Sequence, residues 1–129
     1  MGRAFVVVLL VLGACSGADG EEPAVQRFPD VVDVGVTADD GGTYLFSVTI
    51  SSPYDTPARY ADAWRVTTED GTVLGERVLL HDHAGEQPFT RTLADVSVPP
   101  GVDVVVVEAR DLVNGWGGSA MEVTLPPTG

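Results

Sequence analysis

Apolar residues recur at every second position along most of this chain, in short runs that turn residues cut off about every ten positions. Tyr44, Phe46, Val48 and Ile50 form one such run, and Val32, Val34 and Val36 another. Trp64, Val66 and Thr68 continue the pattern, followed by Val73 to Leu80, then Val105, Val107 and Ala109, then Met121, Val123 and Leu125. Phe89, Leu93, Val96 and Val98 alternate less regularly. Successive side chains of a strand point to opposite faces, so a period of two describes a ribbon buried on one side. No stretch shows helical periodicity.

Between the runs stand residues that reverse the chain. Asp39-Asp40-Gly41-Gly42, Asp70-Gly71 and Pro99-Pro100-Gly101 are turns, and Asn114-Gly115 with Gly117-Gly118 reads as a loop. About seven short strands with this spacing predict an all-β fold, an antiparallel β-sandwich of the immunoglobulin or fibronectin-III kind. Trp64 would fill the centre of its core. A domain of about 95 residues can build one two-sheet core without covalent staples. A small barrel is the competing architecture.

The N-terminus is of another kind. Arg3 precedes an uninterrupted apolar run from Ala4 to Leu12, which is then followed by Gly13, Ala14 and Cys15. A charged start, a short apolar core and small residues describe a secretion signal over 1–14. The run is far shorter than the roughly 20 residues of a bilayer-spanning helix. Leu12-Gly13-Ala14-Cys15 resembles the lipobox of bacterial lipoproteins. That resemblance implies lipid on the Cys15 sulfur, cleavage before it, and membrane attachment through the lipid. An ordinary secretory signal cut after Ala18 is the alternative.

Cys15 is the single cysteine, so it has no disulfide partner within the chain, and lipidation would consume its thiol. Residues 15–29 are acidic and contain Gly and Pro, as a flexible tether would, and the domain is expected over 30–127. Ser16 after the cysteine, by likeness to enterobacterial sorting, would direct the protein to the periplasmic face of the outer membrane in a Gram-negative host.

Charge narrows the partners. Nineteen acidic residues against seven basic ones leave a formal charge of −12. All seven basic residues are arginine. Nucleic-acid binding through phosphates needs clustered Lys and Arg, which this chain lacks. The expected contacts are the membrane, through the lipid at Cys15, and an envelope protein or glycan. No cofactor is expected.

Chemistry-bearing residues concentrate between Arg77 and Arg91. His81 and His83 are the only histidines, and in an extended segment they would project the same way. With Glu86 they form a candidate zinc or copper site, set against a plain role in bracing the loop. Asp55, Asp62, Asp82, Asp111 and Glu86 are candidate calcium ligands by composition. Trp116, in the glycine-rich loop, is a candidate platform for a sugar, set against folding back over the core. No nucleophile elbow or phosphate loop is present, so an enzyme is not expected.

Tyr60 to Trp64, Asp70 to His83, Glu86-Gln87-Pro88-Phe89-Thr90-Arg91, Ala109-Arg110-Asp111 and Gly115 to Gly118 together resemble a group of small secreted bacterial proteins. The resemblance implies one module and brings no activity with it. The expectation is a lipid-anchored envelope protein whose sandwich serves as a binding or interaction module. The alternatives are a metal-binding protein and a carbohydrate-binding module.

Overall fold

A computed structural model describes residues 25–127. The signal segment 1–14 and Cys15 lie outside the described residues. Seven strands follow one another: β1 (Asp30–Ala38), β2 (Thr43–Ser51), β3 (Ala61–Thr68), β4 (Val73–Val78), β5 (Phe89–Ser97), β6 (Val104–Asp111) and β7 (Gly115–Thr124). They form two antiparallel sheets, one ordered β1-β2-β5 and the other β4-β3-β6-β7. The fold is a β-sandwich. β4 pairs with β3 on the larger sheet, whereas the fourth strand of a constant-type immunoglobulin domain joins the opposite sheet.

The core is the set of inward positions that the alternation marks. Phe46, Val48, Ile50, Trp64, Val66, Val105 and Val107 are wholly inaccessible to solvent. Val34, Val36, Leu93, Met121 and Val123 pack on them from partly buried positions. Complete burial of side chains of this size contributes about 1.5–3 kcal/mol each before the cost of ordering them.

Register shifts interrupt all five strand pairings, and those in β1 and β5 change which apolar residues face the core. The β1–β2 register shifts between Val31 and Asp33, so Val31 turns inward and Val32 is left exposed. Val32 was expected to share a face with Val34 and Val36; the extra residue of the bulge puts it on the other side. In β5, Leu93 pairs with Phe46 and Val96 with Tyr44, with Asp95 at φ 59° in the interval. That bulge is why Leu93 and Val96, three positions apart, both reach the core.

β7 also begins earlier than its apolar residues suggested. Gly115, Trp116 and Gly117 are already paired with β6, so the expected loop there shrinks to Leu112, Val113 and Asn114. The glycines serve close approach. A Cβ on Gly117 would collide with the Phe28 ring, and one on Gly118, where φ is +82°, would collide with the Pro29 carbonyl oxygen. The strand accepts the lead-in to β1 against its backbone. Ser119 N donates to Asp30 Oδ1 at 2.8 Å, and Asn114 Nδ2 to the Arg27 carbonyl at 3.1 Å. Among the described residues, Gln26 Nε2 donates to the Ser51 carbonyl at 3.1 Å, so contacts with the sandwich reach into the stretch 15–29 that reads as tether.

Candidate functional site

The loops that join β2 to β3, β4 to β5 and β6 to β7 gather at one end of the sandwich, where the lead-in also arrives. Two buried carboxylates organise them. Asp111, the last residue of β6, is inaccessible to solvent. Its oxygens accept Tyr54 Oη at 2.6 Å, Val113 N at 2.9 Å and Asn114 N at 2.8 Å, and Arg59 Nε lies 3.2 Å away. Arg59 in turn stacks over the Tyr54 ring at 4.0 Å and donates to the Gln26 carbonyl. Burial would raise the Asp111 carboxyl, but the hydrogen bonds from Tyr54, Asn114 and Val113 and the Arg59 charge hold it below the usual range. The Tyr54 hydroxyl is pushed upward by burial and by its bond to that carboxylate.

Asp55 ties a second pair of segments. Its Oδ1 accepts Ala61 N at 3.1 Å and its Oδ2 accepts His83 N at 2.9 Å. Gln87 completes the link: its Oε1 accepts Ser52 N at 2.7 Å, and its Nε2 donates to the Ser52 hydroxyl and the His83 carbonyl. The peptide between Gln87 and Pro88 is cis.

The histidines lie side by side, but in different surroundings. His83 is buried and stacks flat on Phe89, with ring centroids 3.9 Å apart. Its Nδ1 has no hydrogen-bond partner and sits 3.9 Å from Asp55 Oδ2. Burial, with Arg91 and His81 nearby, lowers its pKa and favours the neutral ring. His81 is exposed, 4.9 Å from the His83 ring, and its Nδ1 donates to the Asp82 carbonyl. Glu86 is engaged elsewhere: Arg91 holds both its oxygens at 3.2 Å and draws its pKa down. A depression of about 140 Å³ between Arg77, Leu79, His81, His83 and Arg91 borders the pair.

Among the described residues, no group of three His, Cys, Asp or Glu side chains is placed to hold a metal ion. This separates the candidate calcium ligands too. Asp62 pairs with Arg110 at 2.7 Å, Asp82 accepts Ala84 N, and Asp55 and Asp111 bind their own loops. The signal that reads as a ligand set is one of chain reversal, because an Asp carboxylate satisfies loop N–H groups as readily as it binds a cation.

The outer face of the larger sheet carries a different arrangement. Glu76, Arg65 and Glu108 form one rung across β4, β3 and β6, and Ala63, Arg110 and Trp116 form the next across β3, β6 and β7. The Arg65 guanidinium lies 3.8 Å from the Trp116 ring centroid and bonds Glu108 at 2.6 Å. Arg110 approaches the same ring at 5.3 Å and is held bidentately by Asp62. Trp116 is half-buried in a strand, with Arg65 over one face of its ring. It is therefore neither a loop residue nor a bare platform. Arg65, the centre of this ladder, was missed because a lone arginine between Trp64 and Val66 reads simply as an outward strand position.

A larger cleft of about 520 Å³ lies at the opposite end, between Tyr44, Val98, Val102, Asp103 and Leu125. It brings no acid–base pair together.

No family model matches the chain, and no solved structure matches it. A protein of Halomicrobium mukohataei named "Putative lipoprotein" is 43% identical over 97 residues, which are 75% of this chain and 47% of that relative. The chain thus spans about half the length of the relative it matches. Among the described residues, no helix is long and apolar enough to cross a membrane.

Proposed function

We propose that this chain is a lipid-anchored cell-envelope protein whose β-sandwich works as a non-enzymatic interaction module. The signal segment, the Leu12-Gly13-Ala14-Cys15 sequence and the name of the Halomicrobium relative support the anchor. Asp55 and Asp111 spend their oxygens on backbone N–H groups of the loop end, so they brace that end and neither is a free acid or base. Attachment to the periplasmic side of an outer membrane belongs to this proposal for a Gram-negative host.

The observation that carries the interaction reading is the Arg65–Trp116–Arg110 stack on the outer sheet face. Tryptophan and arginine dominate the energetics of protein interfaces. Here they are rigidly presented, because each arginine is already fixed by a carboxylate, which lowers the ordering cost of binding. A photo-crosslinking residue in place of exposed Glu122, on the same face, should give one discrete adduct in intact cells. Trp116→Ala should weaken that adduct several-fold. The same yield from a probe in place of Asp33, on the other sheet, would count against the reading. Cys15→Ser should shift the protein from the membrane to the soluble fraction or block its processing; unchanged attachment and processing would refute the lipid anchor.

The 4.9 Å separation of the His81 and His83 rings favours metal binding as a second reading. Two imidazoles provide half of a usual zinc shell, so water or a partner group would complete it. Metal analysis of the purified protein decides this. Zinc or copper below stoichiometry, unchanged by His81→Ala with His83→Ala, eliminates it.

A further inference from the structure

The exposed large apolar residues of this domain are distributed unevenly. Val25, Val32, Val78, Leu80, Leu112 and Val113 lie at the loop end where the lead-in enters, or within three residues of it. Val73 alone, among the described residues of this class, lies at the other end. Leu80 is 82% exposed and Val113 66%, each at the tip of a connection. Nothing in the core accounts for them. The loops beneath them are braced by Asp55, Gln87 and Asp111, so these side chains are held out on a firm base.

The arginines divide along the same axis. Asp39, Asp40, Glu69, Asp70, Asp95 and Asp103 lie on the turns of the far end or beside them, with no arginine there among the described residues. Arg27, Arg59, Arg77, Arg91 and Arg110 lie at the loop end, and Arg65 midway along β3. Asp30, Asp55, Asp62, Asp82, Glu86 and Asp111 share the loop end, where Arg59, Arg91 and Arg110 pair with Asp111, Glu86 and Asp62. The loop end is therefore close to neutral, while the acid of the far end is uncompensated. Anionic headgroups repel such a domain least when the loop end and its apolar tips point down.

The lead-in enters the domain at this same end, so the anchor is joined to the apolar rim and not to the far end. Cys15 and Val25 are ten residues apart in sequence, a span of at most about 35 Å when fully extended. A nine-residue strand measures about 30 Å, so the far end stands a domain length beyond the end that the anchor reaches first.

We infer that the loop end, through Leu80, Leu112 and Val113, seats directly on the lipid bilayer as a second membrane contact. The occupant is the headgroup–acyl boundary of the membrane that holds the anchor. The inference rests on the lipid-anchored reading and deepens it: the domain stands upright, and the Arg65–Trp116 face looks sideways along the membrane.

Site-specific labelling tests this in the full-length chain in its native membrane. Lipidation consumes the Cys15 thiol, so Leu80→Cys, Val113→Cys and Val73→Cys each provide one free thiol for an environment-sensitive fluorophore. Probes at 80 and 113 should shift to the blue and lose at least half their emission to a nitroxide-bearing lipid, with the probe at 73 unaffected. Equal quenching at all three positions, or at none, overturns the inference while leaving the anchor intact. A blue shift without lipid quenching, with doubled mass in detergent, assigns the rim to a second copy of the chain and also overturns it. Failure of the anchor is read separately. The unlabelled protein would then be soluble with or without Cys15→Ser, and the inference would fall with it.

Discussion

Tyr54 and Asp111 stand 57 residues apart in the chain, yet the tyrosine hydroxyl donates to the aspartate carboxylate at 2.6 Å. That bond joins the β2–β3 loop to the end of β6, and Arg59 and two backbone N–H groups converge on the same carboxylate. A buried charge with these partners is stable, whereas removing it strands all of them. Asp111→Ala should cost about 3–5 kcal/mol, as breaking a buried ion pair does. Tyr54→Phe removes one donor and leaves the others, so about 1 kcal/mol is expected. Urea denaturation of the two variants checks the order, and a costlier Tyr54→Phe would show that the carboxylate is not the organising group.

Acid should weaken the domain in two stages. Asp111 has its carboxyl depressed by Tyr54, Asn114, Val113 and Arg59, so its contribution is complete above the ordinary carboxylate range and is lost as pH falls through the depressed value. His83 is also depressed, here by burial and by Arg91 and His81. The unfolded chain takes up that proton first, so stability begins to fall as pH drops below about 6.5, by at most about 1.4 kcal/mol per pH unit. His83→Phe keeps a ring against Phe89 and the backbone bond to Asp55 Oδ2, but has no proton to gain. Its stability should be flat from about pH 7 to pH 5 where the parent declines. Parallel slopes for the two proteins would place the titrating group elsewhere.

The alternation in β2 and β6 was enough to place Phe46, Val48, Val105 and Val107 inside, because burial on one face leaves a period of two in the residues themselves. Bulges erased that period in β1 and β5, and an inserted residue carries no compositional mark except Asp95, whose positive φ suits a short polar side chain. The loop end was legible as a cluster of polar residues but not as a network. Asp55, Gln87 and Asp111 meet only after three connections fold onto one another, and a carboxylate bonding its own backbone looks in sequence like one awaiting a cation. The strand role of Gly115-Trp116-Gly117-Gly118 was hidden for a similar reason. Glycine signals a reversal when the partner segment, here Phe28 and Pro29, is not in view.

Arg65 over Trp116 offers a spectroscopic handle. Both Arg65 and Glu108 are about one-quarter exposed, so their pair contributes little, and the stacked guanidinium adds about 0.5–1 kcal/mol. Arg65→Ala should therefore reduce stability by about 1 kcal/mol. It should shift Trp116 emission to the red while Trp64, in the dry core, stays unchanged. Arg65→Lys keeps the charge but loses the flat contact, and should show most of the same shift. Emission from Arg65→Ala identical to the parent would mean the stack does not persist in solution.

The glycines of β7 give the sharpest test of how the lead-in is held. Gly117→Ala must displace the Phe28 ring, an end that can swing aside, whereas Gly118→Ala drives a methyl into the Pro29 backbone from a left-handed conformation. The second change has two faults and no flexible neighbour to absorb them. It should cost roughly 2–3 kcal/mol, and Gly117→Ala roughly half that. The loss should be local first. Amides paired to the lead-in, such as Ser119 N on Asp30, should exchange far faster in Gly118→Ala while β3 and β6 keep their protection. Limited proteolysis should then cut near Arg27, which the parent keeps against Asn114. If Gly118→Ala left Ser119 protected and Arg27 uncut, the lead-in would be held by Gln26 and Pro29 contacts alone, and the close approach to β7 would be incidental.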